Sequence, residues 1–241
     1  MHEPAANRIL REAIKALPEK TEAYFVGGAV RNAAYYKIFK KKLPSRDYDM
    51  FVNGKVKKFV KNLQAKKFEL RKNEPDDMVL RKRKFPGARE LDEFVWVEMH
   101  LSPYKTITEN LEKKSNFTIN GLALPLESAI SPNWYEHIIA LPGSLKDLSS
   151  KQLRFNMDSS HPTNFYATLR FMAKGFKQPP AREVKKLVSL LKKMKKKQFD
   201  RNMAKVFNYV GGEAEARKLA KKLGVKVDVF NWRALKKYFK K

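Results

Sequence analysis

At 241 residues, 43% of them hydrophobic and with 16 Phe and 9 Tyr, the chain can build one large domain or two small ones, and intrinsic disorder is excluded. Its 52 basic residues against 25 acidic ones give a formal charge of +27, which repels itself unless a polyanion such as nucleic acid neutralises it; a merely soluble basic surface is the alternative. Without cysteine there is no disulfide or thiolate metal site, and the four histidines, His2, His100, His137 and His161, lack the spacing of a zinc centre.

The opening segment MHEPAANRILREAIKALPEK has no signal-peptide core, and no apolar run approaches the roughly 20 residues that span a bilayer, so a soluble, cytoplasmic protein with no membrane partner is expected. Leu10, Ala13, Ile14 and Leu17 fall at helical spacing before Pro18 and predict a first helix. AYFVGG reads as a buried strand meeting a turn, AVRNAAYYKIFKKK as a helix leaving it, and DYDMFV as a second strand. Val56, Phe59, Val60 and Leu63 mark a helix, and the strand KFELR follows. DMVLRKRKF and EFVWVEMHL predict two further strands around a charged hairpin tip, PGARELD.

Past NFTINGLALPL, a connecting region punctuated by Pro125, Pro132, Pro142 and Gly143 leads into helices: Asn164 to Ala173, one marked by Val184, Leu187, Val188, Leu191 and Met194, and shorter ones at DRNMAKVFNYV, GEAEARKLAKKLG and NWRALKKYFK. The expected fold class is α+β, a mixed sheet flanked by helices and followed by an all-helical part.

Alternation along a strand puts Asp47 and Asp49 on one face, with Tyr48 and Met50 on the other. Two carboxylates so close repel unless something positive lies between them, and oxygen-only donors with room for substrate phosphates suit Mg²⁺. Taken alone, DYD also reads as a loop cap or a counterweight to local lysines. The context is more specific, because Gly27 and Gly28 let backbone approach a ligand closely and the helix after them offers unpaired N–H groups to a triphosphate.

These residues resemble a family. FVGGAVRN is similar to the VGGAVRD opening of the bacterial-type (class II) tRNA CCA-adding enzymes and poly(A) polymerases, within the DNA polymerase beta nucleotidyltransferase superfamily. RDYDMFV resembles the D-x-D strand, KSNFTINGLAL the RRDFTINALA block, PGSLKDLSSKQLR the GGxxDLxxxxLR block and HPTNFYATLRFMAKGF the DPxRxLRAxRFAAxLGF block, all in order between residues 23 and 176. The resemblance implies a nucleotidyltransferase head over residues 1–126, a helical neck over 127–176 and a short basic helical body over 177–241.

It also implies metal-dependent transfer of a nucleotide from ATP or CTP to an RNA 3′ end, with Asp47 and Asp49 catalytic and holding Mg²⁺ or Mn²⁺. Glu98 stands where the wider superfamily often has a third carboxylate, and reads equally as an ordinary strand-face acid. Nucleotide contacts are implied for Gly27, Gly28, Arg31, Asn116, His161, Asn164 and Arg170. Arg81, Lys82, Arg83 and Lys84, with Lys192, Lys193, Lys195 and Lys196, are expected to follow the RNA backbone without reading sequence.

The sequence departs from the family at defined places. Asn32 replaces the Asp of VRD, and Lys114, Ser115 and Asn116 replace RRD, although an Asn116 amide can still bond a ribose hydroxyl. Ser160 to Asn164 stand where the family has EDxxR, whose Asp and Arg read the base edge, so the usual means of switching between C and A is missing. Asn164 could pair with adenine or simply start a helix. About 65 residues follow Phe176, fewer than in full-length members, which suggests a shortened member helped on tRNA or another RNA by a protein partner or self-association. Three readings stay open: the enzyme, an RNA-binding or assembly factor on an impaired nucleotidyltransferase fold, and transfer to a protein or small molecule, which the charge disfavours.

Overall fold

The computed structural model describes residues 4–43, 47–74, 77–84, 94–100 and 103–240. The hairpin tip expected at PGARELD lies outside them. In chain order the first elements are α1 (Pro4–Ala16), β1 (Glu22–Val26), α2 (Gly28–Phe39), β2 (Asp47–Asn53), α3 (Val56–Ala65), β3 (Glu69–Glu74), β4 (Asp77–Arg83) and β5 (Phe94–His100). This is the order expected from hydrophobic periodicity. In α1 the buried stripe is Ile9, Leu10, Ala13 and Ala16, so the packed face turns slightly from the Leu10–Leu17 stripe read off the sequence. The buried face of α3 is Phe59, Val60 and Leu63.

The strands form one seven-stranded sheet in the order β3-β4-β5-β2-β1 and then two strands the sequence reading left unassigned, β6 (Leu122–Pro125) and β7 (Ile139–Ala140). Among the described residues only β2 and β5 pair in parallel; every other neighbouring pair is antiparallel, which makes the sheet mixed. β2 lies in its middle, and Met50, Phe51 and Val52 in succession are buried, as in a strand covered on both faces. A further helix, α4 (Ile107–Lys114), packs Ile107 and Leu111 against Phe51. Its N-cap, Thr106, accepts a hydrogen bond from the Glu109 N–H at 3.2 Å, the T-x-x-E signature of a helix start.

By its internal contacts the chain divides into two compact units, residues 1–115 with 119–145, and residues 116–118 with 146–241. The first holds the sheet. The second is helical: α5 (Ser144–Ser149), which straddles the division, is followed by α6 (Asn164–Ala173), α7 (Ala181–Leu190), α8 (Lys196–Val210), α9 (Glu213–Lys222) and α10 (Trp232–Tyr238). Phe117 belongs to this second unit, with its ring 5.9 Å from Phe155 and 5.4 Å from Phe171. The centre of the unit is Phe165, Tyr166 and Leu169 of α6, all fully buried. Burial raises the pKa of the Tyr166 hydroxyl, which donates to the Val229 carbonyl at 2.8 Å. Gly211 ends α8 in the left-handed conformation that glycine adopts without steric cost.

Candidate functional site

In the first unit, β1 runs straight into Gly27 and α2 starts at the next residue. Gly27 has φ 61° and ψ −122°, a region that side-chain-bearing residues avoid, and the sharp strand-to-helix turn depends on it. No side chain caps α2, so its first N–H groups remain oriented toward the turn. A Cβ on Gly27 would stand 3.6 Å from Asp49 Oδ2, which places that carboxylate against the turn.

Asp49 and Glu98 are direct partners in the parallel β2/β5 ladder, so the two acids lie side by side on one face of the sheet, both half-buried. Asp47, described through its backbone, pairs with Trp96 two residues earlier in the same ladder. Glu98 thereby stands in register with Asp49, one of the two aspartates that the sequence singles out. The pairing is invisible locally, because β3 and β4 intervene in the chain between β2 and β5.

Arg31, on the first turns of α2, is buried. Its Nε and Nη2 donate to Asn32 Oδ1 at 3.0 and 2.8 Å, and its Nη1 donates to Asn120 Oδ1. A Cβ on Gly28 would lie 3.7 Å from Nη2, so the guanidinium borders the diglycine turn. These two amide side chains orient the guanidinium. Asn120 was missed as a site residue, although it sits in the NFTING block whose resemblance was noted.

The second unit gathers Asn116, His161 and Asn164. Asn116 Nδ2 donates to Asn164 Oδ1 at 3.1 Å, and Asn164 Nδ2 donates to Ser159 Oγ at 2.8 Å. His161 is exposed, with Nδ1 2.6 Å from Thr163 Oγ1, and its carbonyl accepts from the Asn164 N–H at 3.2 Å. Asn164 is 2% exposed and links Asn116 to Ser159 at the start of α6. Arg170, further along α6, lies 5.6 Å from the Tyr209 ring of α8. Burial lowers its guanidinium pKa, and Tyr209 opposes that shift.

The basic residues divide. Arg81 donates to Glu69 at 2.8 Å and lies 4.3 Å over the Phe94 ring, and Lys82 pairs with Glu12. Arg83 reaches Glu69 only at 3.9 Å, and the Lys84 carbonyl accepts from Arg8 at 3.1 Å. Arg81 is thus engaged within the sheet and Lys82 with α1. Lys192 and Lys193 occupy a short 3₁₀ turn, Lys195 caps α8, and Lys196, its first residue, pairs with Asp200. Lys236 of α10 donates to the Lys192 and Met194 carbonyls at 3.2 and 2.9 Å, adding a further cation there.

Among the described residues, no group of three or more His, Cys, Asp or Glu is arranged to hold a metal ion. The oxygen donors at Asp49 and Glu98, beside an open helix start, fit a Mg²⁺-type ion that takes its remaining ligands from phosphate oxygens rather than a protein-only cage. Nor is any helix among the described residues long and apolar enough to cross a membrane.

The mixed seven-stranded sheet flanked by helices is an α+β fold similar to that of CCA-adding enzymes of known structure. The chain is similar to a CCA-adding enzyme solved with ATP: 19% identity, TM-score 0.68, covering 94% of this chain and 51% of that one. It is also similar to a tRNA-processing enzyme in its apo form, at 21% identity and TM-score 0.65 over 100% of this chain and 63% of that one. A third likeness is to the Thermotoga maritima CCA-adding enzyme complexed with tRNA, at 18% identity and TM-score 0.65 over 92% and 52%. Identities this low make the likeness one of fold, and the chain spans between 51% and 63% of the length of these proteins. No family model matches the sequence, and no curated protein matches it.

Proposed function

We propose that the protein is a metal-dependent nucleotidyltransferase that extends RNA 3′ ends, with tRNA as the first candidate acceptor. The observation that carries this reading is the Asp49 carboxylate seated against Gly27, with Glu98 in register beside it. The low-identity likeness to enzymes solved with ATP, CTP or tRNA supports the nucleotide and acceptor classes. In this reading residues 1–126 act as a catalytic head, 127–176 as a neck and 177–241 as a basic body, with a protein partner or a second copy assisting the grip on RNA.

Asp47, Asp49 and Glu98 would hold Mg²⁺ or Mn²⁺. The ion supplies neutralisation of charge at the α-phosphate and a more acidic 3′ hydroxyl. Gly27 and the start of α2 receive the triphosphate through backbone N–H groups, and Arg31, held by Asn32 and Asn120, adds positive charge at that turn. The RNA 3′ oxygen attacks the α-phosphorus, the bond to the β-phosphate oxygen breaks, and pyrophosphate leaves. Catalysis rests on positioning and charge neutralisation. For Asn116 and His161 a nucleotide contact rests on the resemblance, and Asn164 engages the Asn116 amide.

A second reading, an RNA-binding or assembly factor, is favoured by one observation. The position where the family has its base-reading arginine carries a buried asparagine engaged with Asn116 and Ser159. Primer extension separates the two: purified protein, Mg²⁺ or Mn²⁺, each nucleoside triphosphate in turn, and tRNA ending before or within CCA beside an unstructured RNA. Metal-dependent extension lost in Asp49→Asn supports the enzyme. Salt-sensitive RNA binding without extension supports the factor.

A further inference from the structure

Tyr209 is half exposed, in the last turn of α8, where a soluble fold gains little from a large aromatic ring facing water. Two cations from one side of α6 flank it: the Arg170 guanidinium carbon at 5.6 Å and Lys174 Nζ at 5.7 Å from the ring centroid. One turn earlier on α8, Lys205 is exposed. The backbone next to these residues is bare: Gly175 follows Lys174, Gly211 and Gly212 follow closely on Tyr209, and none of the three would bring a Cβ within 4 Å of another group. The nearest acids along the chain, Glu213 and Glu215, are paired with Arg217 and Lys218.

We infer that Tyr209 is a stacking platform for an unpaired base of single-stranded RNA, with Arg170 and Lys174 setting the ring and Lys174 and Lys205 receiving the flanking phosphates. This rests on RNA being the ligand, as in the proposed function, and adds a contact that reads a base face rather than the backbone. Every base has a π-face, so the contact tolerates sequence. The charge argues for RNA over a protein partner: the ring is bordered by cations and open backbone, the complement of a phosphodiester chain with splayed bases.

The test is fluorescence anisotropy with a labelled single-stranded RNA 10-mer and a duplex of the same length, at several salt concentrations, on wild type, Tyr209→Phe, Tyr209→Leu and Tyr209→Ala. We expect Tyr209→Ala and Tyr209→Leu to bind the single strand about 5- to 100-fold more weakly, the range base–aromatic stacking supports, with the salt slope unchanged. Tyr209→Phe retains the affinity, duplex binding is unaffected, and Lys174→Ala makes the salt slope shallower. Wild-type single-strand affinity in Tyr209→Ala and Tyr209→Leu overturns the inference, as does an equal loss for duplex. Wild type that binds no RNA but self-associates through Tyr209, as a sedimentation shift abolished by Tyr209→Ala, overturns it in favour of a protein interface. Should wild type show no primer extension while the Tyr209 dependence of binding holds, the proposed activity fails and the platform stands.

Discussion

The two units treat their polar residues in opposite ways. In the first, Asp49 and Glu98 stand half-buried at a turn where two glycines keep the backbone bare. In the second, Asn164 occupies the start of α6 with both ends of its amide engaged and almost no exposed surface. Two half-buried acids in register repel each other and gain from a positive charge between them, whereas a satisfied buried amide stabilises its own unit. The contrast is one of exposure: the acids of the first unit keep part of their surface accessible, while Asn164, in the segment that stands where the resembled family has EDxxR, is closed off inside the second.

The largest effect expected is on the open side of this comparison. Asp49→Asn should lower primer extension by about 10²- to 10³-fold or more, with the thermal melt retained, because it removes charge where phosphoryl transfer needs it. Gly27→Ala should lower both activity and melting temperature. Its φ of 61° and ψ of −122° strain an alanine by about 1–3 kcal/mol, and the new Cβ stands 3.6 Å from the Asp49 carboxylate. Glu98→Gln sharpens the comparison: extension should fall while stability does not, and an unchanged rate would reduce Glu98 to a strand-face acid.

On the closed side the order reverses. Asn164→Ala should destabilise the protein by about 1–3 kcal/mol in denaturant unfolding, because Asn116 and Ser159 lose a buried partner. Asn164→Arg, which introduces the residue type found at this place in the family the sequence resembles, should destabilise it further, since a charge enters a position that is 2% exposed. A gain of base discrimination in that variant would break the comparison.

Two smaller effects concern charge. Arg81→Ala should lower the melting temperature and leave RNA affinity unchanged, since Arg81 is engaged with Glu69 and Phe94; Lys193→Ala should do the reverse and reduce the salt slope of single-stranded RNA binding by about 0.7. Burial raises the pKa of Glu183, whose carboxylate accepts from the Phe155 N–H at 2.6 Å. A raised folded-state pKa favours folding below the unfolded value and loses that benefit as pH rises through the folded value. Glu183→Gln keeps an acceptor oxygen and removes the charge, so its melting temperature should exceed that of wild type at pH 7, and the difference should shrink toward pH 4.

Hydrophobic period was enough to order the elements from α1 to β5 and to bound α6 at Asn164 and Ala173. It failed for α4, β6 and β7, each too short for a period to declare itself, although Thr106-Ile107-Thr108-Glu109 carried a capping signal. In the candidate site the diglycine turn and Asp49 were legible because both are local features. Glu98 became a neighbour of Asp49 only through a parallel pairing that crosses two intervening strands. Arg81 and Lys82 looked like an RNA-facing run because charge is visible in sequence, whereas their partners Glu69 and Glu12 are brought to them by the fold. The burial of Asn164 was hidden for the same reason, since a helix-start asparagine is ordinarily exposed.

The measurement that tests the central claim most directly is metal-dependent extension of a tRNA 3′ end by wild type and Asp49→Asn, followed nucleotide by nucleotide with Mg²⁺ and then with chelator. The account predicts addition by wild type in Mg²⁺, none with chelator, and loss in Asp49→Asn with RNA affinity retained. Equal extension by both proteins, or none by a wild type that binds ATP and RNA, would contradict it.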